Sequence, residues 1–154
     1  MFNLVLYQPE IPPNTGNIIR LCANTGCSLH LIKPLGFELD HSRLKRAGLD
    51  YHEFVGVVLH DSFADMLESL DHPRVWAFST KGGPSHASVA YEPGDVLLFG
   101  PETRGLPADI LGGLPVGHCL RVPMLPEQRS LNLSNAASIV VYEAWRQQGF
   151  AGAE

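Results

Sequence analysis

Small polar residues are concentrated at residues 121–145, where a turn-rich segment runs into a strongly apolar one. Ser130, Asn132, Ser134 and Asn135 stand at the start of what the following residues predict to be a helix. Such side chains form hydrogen bonds, and the first turn of a helix presents unpaired backbone N–H groups. This stretch is therefore the first candidate for a ligand site.

Two other loops share the Gly, Pro and small polar residues of segment 123–135. They are residues 79–86 and 100–107, and each of the three loops follows an apolar run that predicts a strand. In open α/β sheets, ligands bind beyond the carboxyl ends of the strands. We therefore expect the three loops to meet at one pocket.

Another candidate lies near the N-terminus, where Asn17 and Arg20 share a face if the segment is helical. An amide beside a guanidinium suits a phosphate or a ribose. A surface arginine without a function fits the same pattern, and Glu102 with Arg104 likewise fits a plain ion pair in a loop. From the residues alone, both interpretations stay open.

Several common sites are absent from the sequence. It has no GxGxxG, GxxxxGK[ST] or GxSxG motif, which disfavours a dinucleotide oxidoreductase and a serine hydrolase. Its 3 cysteines form no CxxC pair and its 7 histidines no HxxH or HExxH, so we expect no disulfide framework and no metal site. No apolar run approaches the roughly 20 residues that span a bilayer, and we expect a soluble, cytoplasmic protein without a membrane partner.

Charge is unevenly distributed along the chain. A net charge of -5 argues against a nucleic-acid partner, since neutralising phosphates requires Lys and Arg. Residues 50–71 contain acids but no Lys or Arg, whereas the first third is comparatively basic, which allows one positive face on an acidic protein. The RLKR run at 43–46 fits a solvated helical face as well as an RNA contact.

The apolar runs read as continuous rather than alternating, as in strands covered on both faces, and helical segments lie between several of them. Asn14 or Thr15 is the predicted cap of a helix that Gly26 ends, Ser42 the cap of a helix over 44–48, and Ser62 the cap of a third. We expect one α/β domain over residues 1–154 with a mostly parallel sheet. The predicted strands cover residues 2–7, 29–32, 54–59, 74–78, 95–99 and 119–122.

The last predicted helix runs from about Ser134 to Gln148 and is closed by Gly149. Its apolar residues surround too much of the circumference for one stripe of contact. A second copy of the chain is the simplest partner, so we expect a homodimer with Tyr142 in its contact. Complete burial within the chain's own core is the alternative.

Taken together, NTGNIIR at 14–20, LLFGPETRGLP at 97–107 and the segment 121–144 resemble the three ordered motifs of the SPOUT RNA methyltransferases. The likeness covers essentially the whole chain and is greatest to the small members that methylate the ribose 2'-hydroxyl of cytidine or uridine at tRNA position 34. It implies an α/β fold with a C-terminal deep trefoil knot at about residues 74–150. It also implies a homodimer paired through the first and last helices.

The resemblance further implies S-adenosylmethionine as the cofactor, bound in a bent form by the knot loops, and the anticodon arm of tRNA as the substrate. Carried over by position, the reacting centre contains Asn14, Arg20, Glu102, Ser130 and Asn132. The implied cofactor contacts are Phe78, Ser79, Thr80, Gly100, Pro101, Glu102, Val122, Met124, Ser130, Leu131 and Asn135.

In the family, the counterpart of Arg20 is the suggested acceptor of the hydroxyl proton. A guanidinium has a pKa above about 12 and stays protonated in proteins, so we expect Arg20 to hold the adjacent phosphate and stabilise the developing alkoxide. The proton acceptor is left open. The basic residues expected to contact RNA phosphates are Arg43, Lys45, Arg46, Arg129 and Arg146.

Two other functions are alternatives to this assignment. A SPOUT methyltransferase acting on ribosomal RNA or another tRNA site often carries an added RNA-binding domain, which we do not expect in this protein. An RNA-binding or cofactor-sensing module without catalysis would not need the polar residues of the reacting centre, such as Asn14 and Arg20, which this chain keeps.

Overall fold

The computed structural model describes residues 1–46, 48–49, 51–54 and 56–154. Within them, six parallel strands form one sheet in the order β3-β2-β1-β5-β4-β6, which confirms the predicted parallel α/β architecture. The strands are β1 (Asn3–Tyr7), β2 (Ser28–Ile32), β3 (Val58–His60), β4 (Val75–Phe78), β5 (Val96–Phe99) and β6 (Cys119–Leu120).

Helices lie on both faces of the sheet. They are α1 (Pro12–Thr25), α2 (His41–Arg46), α3 (Tyr51–Phe54), α4 (Phe63–Ser69), α5 (Ala108–Gly112) and α6 (Leu133–Gln147). No helix among the described residues is both long enough and apolar enough to cross a membrane.

Two apolar clusters fill the two faces, and β1 contributes to both because its side chains alternate. Leu4 and Leu6 pack in the cluster that contains α1 and α6, whereas Val5 packs in the cluster that contains residues of α4 and α5. All three are essentially inaccessible to solvent. Burying a side chain of this size stabilises a fold by about 1.5–3 kcal/mol. Burial on both faces is why the strands lack polar alternation.

Two helix ends follow their predicted signals. Gly26 adopts a left-handed φ of 77° after α1, and its N–H bonds to the carbonyl of Cys22 at 2.9 Å. Ser62 caps α4 by accepting the N–H of Asp65 at 3.0 Å.

Two predicted caps are wrong. The first helix begins at Pro12, ahead of Asn14 and Thr15, because proline's fixed φ and missing N–H suit the first helical positions. At α2, the N–H of Arg43 is accepted by Asp40 at 2.8 Å rather than by Ser42, which lies inside the helix. Ala47, within the helix predicted at 44–48, lies outside the described residues.

The strand predicted at 54–59 is wrong in its first part. Phe54 ends α3, a turn includes Gly56, and the strand covers only Val58–His60. Val55 lies outside the described residues. At the other edge of the sheet, β6 ends at Leu120, and Arg121 forms only an isolated bridge with Ser85. Both runs are apolar enough for a strand, but edge strands have a neighbour on one side only and end early.

The last helix leaves part of its apolar surface uncovered. Val140 and Ala144 are fully buried, whereas Ile139 is 41% exposed and Tyr142 is 45% exposed. Complete burial of this helix within its own chain is therefore wrong.

A row of hydrogen-bonded polar side chains joins β1, β2 and β3. Asn3 donates to the carbonyl of Gly94 (3.1 Å), so its Oδ1 faces His30 Nε2 (3.2 Å) and accepts the N–H there. His30 Nδ1 then accepts from His60 Nε2 at 2.9 Å. Burial and the neighbouring His60 lower the pKa of His30 to about 4, and burial lowers that of His60 too. The chain of bonds is thus built for a neutral His30.

Candidate active site

A cavity of about 430 Å³ opens at the carboxyl ends of β4 and β5. The three loops identified in the sequence form its walls, together with the entry to α1. Phe78 and Phe99, the last residues of the two strands, stack with ring centroids 4.9 Å apart. A cavity of this size and position is typical of small-ligand sites in α/β folds.

Most of the site residues expected from the resemblance come together here. Neither Arg20 nor Asn135 lines the cavity. The expected residues that do line it are Asn14, Phe78, Ser79, Thr80, Gly100, Pro101, Glu102, Val122, Met124, Ser130, Leu131 and Asn132.

The cavity is also lined by residues that were not among the expected site residues. Lys81, Thr103 and Arg104 lie in the loops that predicted the pocket, and their place in those loops was the available signal. Arg121 begins the polar segment itself. No feature of the sequence indicated Ile11, because its place in the cavity wall depends on how α1 enters the fold.

Gly100 is required by the backbone of its own loop. A Cβ at this position would lie 2.5 Å from the N atom of Leu106 and 2.6 Å from the carbonyl carbon of Gly105. Real Cβ atoms do not approach backbone atoms so closely. The loop after β5 thus folds tightly back on itself at the cavity wall.

Glu102 joins this loop to the entry of α1. One carboxylate oxygen accepts the N–H of Glu10 at 2.8 Å, and the other accepts the N–H of Ile11 at 2.7 Å. The second oxygen also accepts the side-chain amide of Asn14 at 3.2 Å. A carboxylate at a helix N-terminus is favoured by the helix dipole, and α1 has no cap from its own Ile11.

Glu10 returns the contact. Its carboxylate accepts the N–H and the hydroxyl of Thr103 at 2.9 and 2.8 Å, and these hydrogen bonds lower its pKa. Arg104 lies 3.5 Å from the same carboxylate and donates to the side chain of Gln8 at 3.2 Å. The ion pair considered for Glu102 and Arg104 is therefore wrong. Instead, the Glu102 carboxylate binds the backbone at Glu10, and the Glu10 carboxylate binds the backbone beside Glu102.

Asn132 connects the third loop to this network. Its side-chain oxygen caps α6 by accepting the N–H and hydroxyl of Ser134 at 2.9 and 2.6 Å. Its amide nitrogen donates to the side-chain oxygen of Asn14 at 2.9 Å. Donor and acceptor directions are thereby fixed from α6 through Asn14 to Glu102. Each amide nitrogen also has a second N–H that these bonds leave unused.

Arg20 lies outside the cavity, six residues and about 9 Å along α1 from Asn14. Its side chain is 51% exposed and pairs with Glu53, Nε to Oε2, at 3.1 Å. It also donates to the carbonyl of Gly48. Within one chain, the structure therefore separates Arg20 from the other four residues expected at the reacting centre.

The five basic residues expected to contact RNA differ in their surroundings. Arg43 lies 3.3 Å from Asp40, and Arg146 lies 2.9 Å from Glu143. Hydrogen bonds from Arg146 are the main cause of the lowered pKa of Glu143, about 2. Lys45, Arg46 and Arg129 are exposed. The Arg43–Asp40 pair is exposed on both sides, so exchanging that carboxylate for a phosphate costs little, whereas Glu143 is only 14% exposed and holds Arg146 more firmly.

In the described part of the chain, no group of three or more His, Cys, Asp and Glu residues is arranged to hold a metal ion. Three free cysteines, Cys22, Cys27 and Cys119, are buried or half-buried, and burial raises their pKa values. The polar groups that line the cavity are amides, hydroxyls, a carboxylate, an ammonium, guanidinium groups and backbone.

Comparison with known proteins shows the family to which the chain belongs. The model of the SpoU rRNA Methylase family matches residues 1–142. The tRNA (cytidine(34)-2'-O)-methyltransferase of Escherichia coli (strain K12) is 61% identical over 153 residues, which are 99% of this chain and 98% of that protein.

Two solved structures share the fold at high identity. A putative RNA methyltransferase from Bacillus anthracis has a TM-score of 0.91 and 46% identity, covering 100% of this chain and 98% of its own. A structure concerning the 2-OH methylation of C/U34 on tRNA has a TM-score of 0.88 and 52% identity, with 97% of each chain covered. The predicted resemblance to SPOUT methyltransferases is confirmed, and the chain belongs to the SpoU rRNA methylase family.

Proposed function

We propose that this protein transfers a methyl group from S-adenosylmethionine to the ribose 2'-hydroxyl of the wobble nucleotide, cytidine or uridine at position 34, of tRNA. The observation that carries the proposal is the convergence of the three motif loops on one cavity at the carboxyl ends of β4 and β5. The 61% identity to a methyltransferase of that specificity, over nearly the full length of both chains, supports this substrate.

The cavity fits the proposed cofactor. Phe78, Val122 and Leu131 offer apolar surface for a purine, and the backbone of the loops offers N–H and C=O groups for its polar edges. When bound, S-adenosylmethionine supplies an intrinsically reactive methyl group on a sulfonium. The chain's main task is therefore to hold the ribose oxygen in line, about 3–3.5 Å from its target.

The amides of Asn14 and Asn132 are suited to orient the ribose, because each keeps an unused N–H and neither can rotate without breaking bonds to its neighbours. Ser130 adds a hydroxyl at the same cavity. Glu102 already accepts three N–H donors. We therefore assign Glu102 to holding α1 in place and leave the proton acceptor unassigned.

We further propose that Arg20 acts on the cavity of a second chain in a homodimer paired through α1 and α6. Exposure of Ile139 and Tyr142 on α6 supports such a contact, and the distance of Arg20 from its own cavity supports action across it. The guanidinium remains protonated, holds the adjacent phosphate and stabilises the developing alkoxide. Action on tRNA implies a cytoplasmic enzyme.

The deep trefoil knot, at about residues 74–150 of a single domain spanning 1–154, is part of this proposal. Its support is the close contact of segment 119–121 with the loop after β4. Arg121 donates its N–H to Pro84 (2.8 Å) and accepts that of His86 (2.9 Å). A Cβ at Gly82 would lie only 2.2 Å from the carbonyl oxygen of Leu120. A strand end that passes through a loop requires such an approach.

Nucleoside mass spectrometry tests the proposed function. Total RNA from cells lacking the enzyme is incubated with protein and S-adenosylmethionine, and tRNA and ribosomal RNA are then digested separately. We expect 2'-O-methylcytidine or 2'-O-methyluridine in tRNA, located at position 34 by mass spectrometry of nuclease fragments, with no product when the cofactor is omitted. Methylation of ribosomal RNA instead, methylation on a base, or no methylation of either RNA would contradict the proposal.

A further inference from the structure

The cavity carries more positive charge than its proposed cofactor explains. Lys81, Arg104 and Arg121 all line it, on a protein whose net charge is -5. Among its described lining residues, Glu102 is the acidic one, and three N–H donors already bind its carboxylate. The described lining thus carries three positive charges against one negative charge, and Glu10, 3.5 Å from Arg104, offsets part of the difference.

S-adenosylmethionine does not call for this charge. The molecule has a sulfonium and an ammonium against a single carboxylate, so it is a cation overall. Three basic side chains raise the electrostatic potential of the cavity and disfavour a net positive ligand. The basic residues are explained if a second, anionic ligand approaches the same cavity.

We propose that Lys81, Arg104 and Arg121 form a phosphate-binding rim that holds the backbone of the RNA substrate beside its target ribose. The inference rests on the proposed function, because the RNA substrate is what brings phosphates to this cavity. It places the main phosphate contacts at the cavity itself, whereas four of the five basic residues expected from the sequence lie on helices α2 and α6.

The surroundings of the three side chains suit this role. Arg121 donates one N–H to the carbonyl of Thr80 at 2.7 Å, which holds its guanidinium in place while other donors stay available. Arg104 is braced by Gln8 and Glu10, yet its side chain is 59% exposed. Lys81 is exposed and forms no ion pair within the described residues. Two forked donors and one mobile ammonium can contact successive phosphates.

The rim also couples the two ligands. Phosphates bound at the rim neutralise the charge that opposes the cofactor, so bound tRNA should increase the affinity for S-adenosylmethionine. By linkage, the cofactor should increase the affinity for tRNA by the same factor.

The test uses Lys81→Gln, Arg104→Gln and Arg121→Gln in the full chain. Affinity for tRNA is measured over a range of salt concentrations, affinity for S-adenosylmethionine is measured by calorimetry without RNA, and thermal unfolding verifies the fold. We expect each variant to weaken tRNA binding about three- to tenfold and to reduce the slope of log affinity against log salt by about 0.7–0.9. Affinity for the cofactor should be unchanged or higher.

Lys33→Gln is the matched control. Lys33 is exposed, pairs with Asp61 at 2.8 Å and does not line the cavity, so its loss should leave the affinities for tRNA and for the cofactor unchanged. Lys81 is the decisive position, because its exposed side chain contributes little to folding.

The proposal is overturned if wild-type protein binds tRNA and all three variants retain its affinity and salt slope. It is equally overturned if the variants lose cofactor affinity alone, since the basic residues would then bind the cofactor's carboxylate. A wild-type protein that neither binds nor methylates tRNA would instead remove the proposed function, and the rim with it.

Discussion

The two polar positions on α1, Asn14 and Arg20, are built in different ways. Asn14 is 5% exposed, and its amide is fixed in direction by Glu102 on one side and Asn132 on the other. Arg20 is half exposed and is held by Glu53 in an ion pair at the surface. Asn14 belongs to a network that joins the cavity loops, whereas Arg20 is bound to residues outside the cavity.

The two positions differ in burial and in the contacts that hold their side chains. The Asn14 side chain is buried, so losing one of its bonds leaves a buried polar group without a partner, which costs about 1–3 kcal/mol. Arg20 is held by Glu53, whose side chain is only 17% exposed, and by the carbonyl of Gly48, so its contacts lie within its own chain and outside the cavity. The cavity is thus preformed within one chain, whereas Arg20 must exchange these contacts to hold a phosphate.

The largest effect is expected at Arg20. Arg20→Ala should reduce the methylation rate by about 100-fold or more, the usual cost of losing a group that stabilises developing negative charge. Some unfolding free energy is lost as well, because Glu53, only 17% exposed, loses this partner. Arg20→Lys retains the charge and should keep part of the rate. Single-turnover rates measure both variants. Equal and complete loss in both, with tRNA and cofactor still bound, would rule out a purely electrostatic role.

Glu102→Gln should damage the network although the side chain keeps its size. One end of the new amide is a donor, so it faces the N–H of Glu10 or Ile11 without accepting it. We expect a loss of about 1–3 kcal/mol in unfolding free energy, together with weaker cofactor binding. Urea unfolding and calorimetry measure the two effects. Wild-type values for both would show that the carboxylate is dispensable.

Acid should destabilise the protein through His30, away from both positions on α1. Its pKa in the folded chain is lowered to about 4 from an unfolded value of 6.5, so the unfolded state binds more protons between these values. Its contribution is complete above about pH 6.5 and is lost as pH falls towards 4. Unfolding free energy should be about 2 kcal/mol lower at pH 5 than at pH 7.5.

His30→Asn isolates this contribution from other titrating groups near the pair, which include His60 and Asp65. Urea unfolding of both proteins at the two pH values gives the comparison. The pH dependence should be smaller in His30→Asn. An identical pH dependence would assign the acid sensitivity to groups elsewhere.

The smallest effect on unfolding free energy is expected at Asn132, whose side-chain oxygen and nitrogen bind different partners. Asn132→Asp keeps the acceptor that caps α6 but loses the N–H that Asn14 accepts, whereas Asn132→Ala loses both. The alanine variant should lose about 1 kcal/mol of unfolding free energy, and the aspartate variant less. The aspartate variant should nevertheless methylate slowly, because Asn14 is no longer oriented. Equal rates in wild type and Asn132→Asp would show that the bridge is not needed.

The sequence predicted the sheet, most helices and the three cavity loops, because each depends on local apolar runs and turn residues. The connected network was not predictable, since Glu102 binds Glu10 and Ile11 across more than 90 residues. The start of α1 was misplaced because Asn14, a good cap by type, is used in a tertiary contact instead. Lys81, Arg104 and Arg121 were not expected to bind phosphates, because a net charge describes the whole chain and not one wall of a cavity.

The central claim is that a complete site contains the cavity of one chain and Arg20 of another. Mixed dimers of Arg20→Ala and Glu102→Gln chains, carrying different tags and purified through both, test it most directly by their methylation of tRNA. The account predicts activity well above either homodimer, because one cavity is intact and meets an intact Arg20. Mixed dimers as inactive as both parents would contradict it, since Arg20 would then serve the cavity of its own chain.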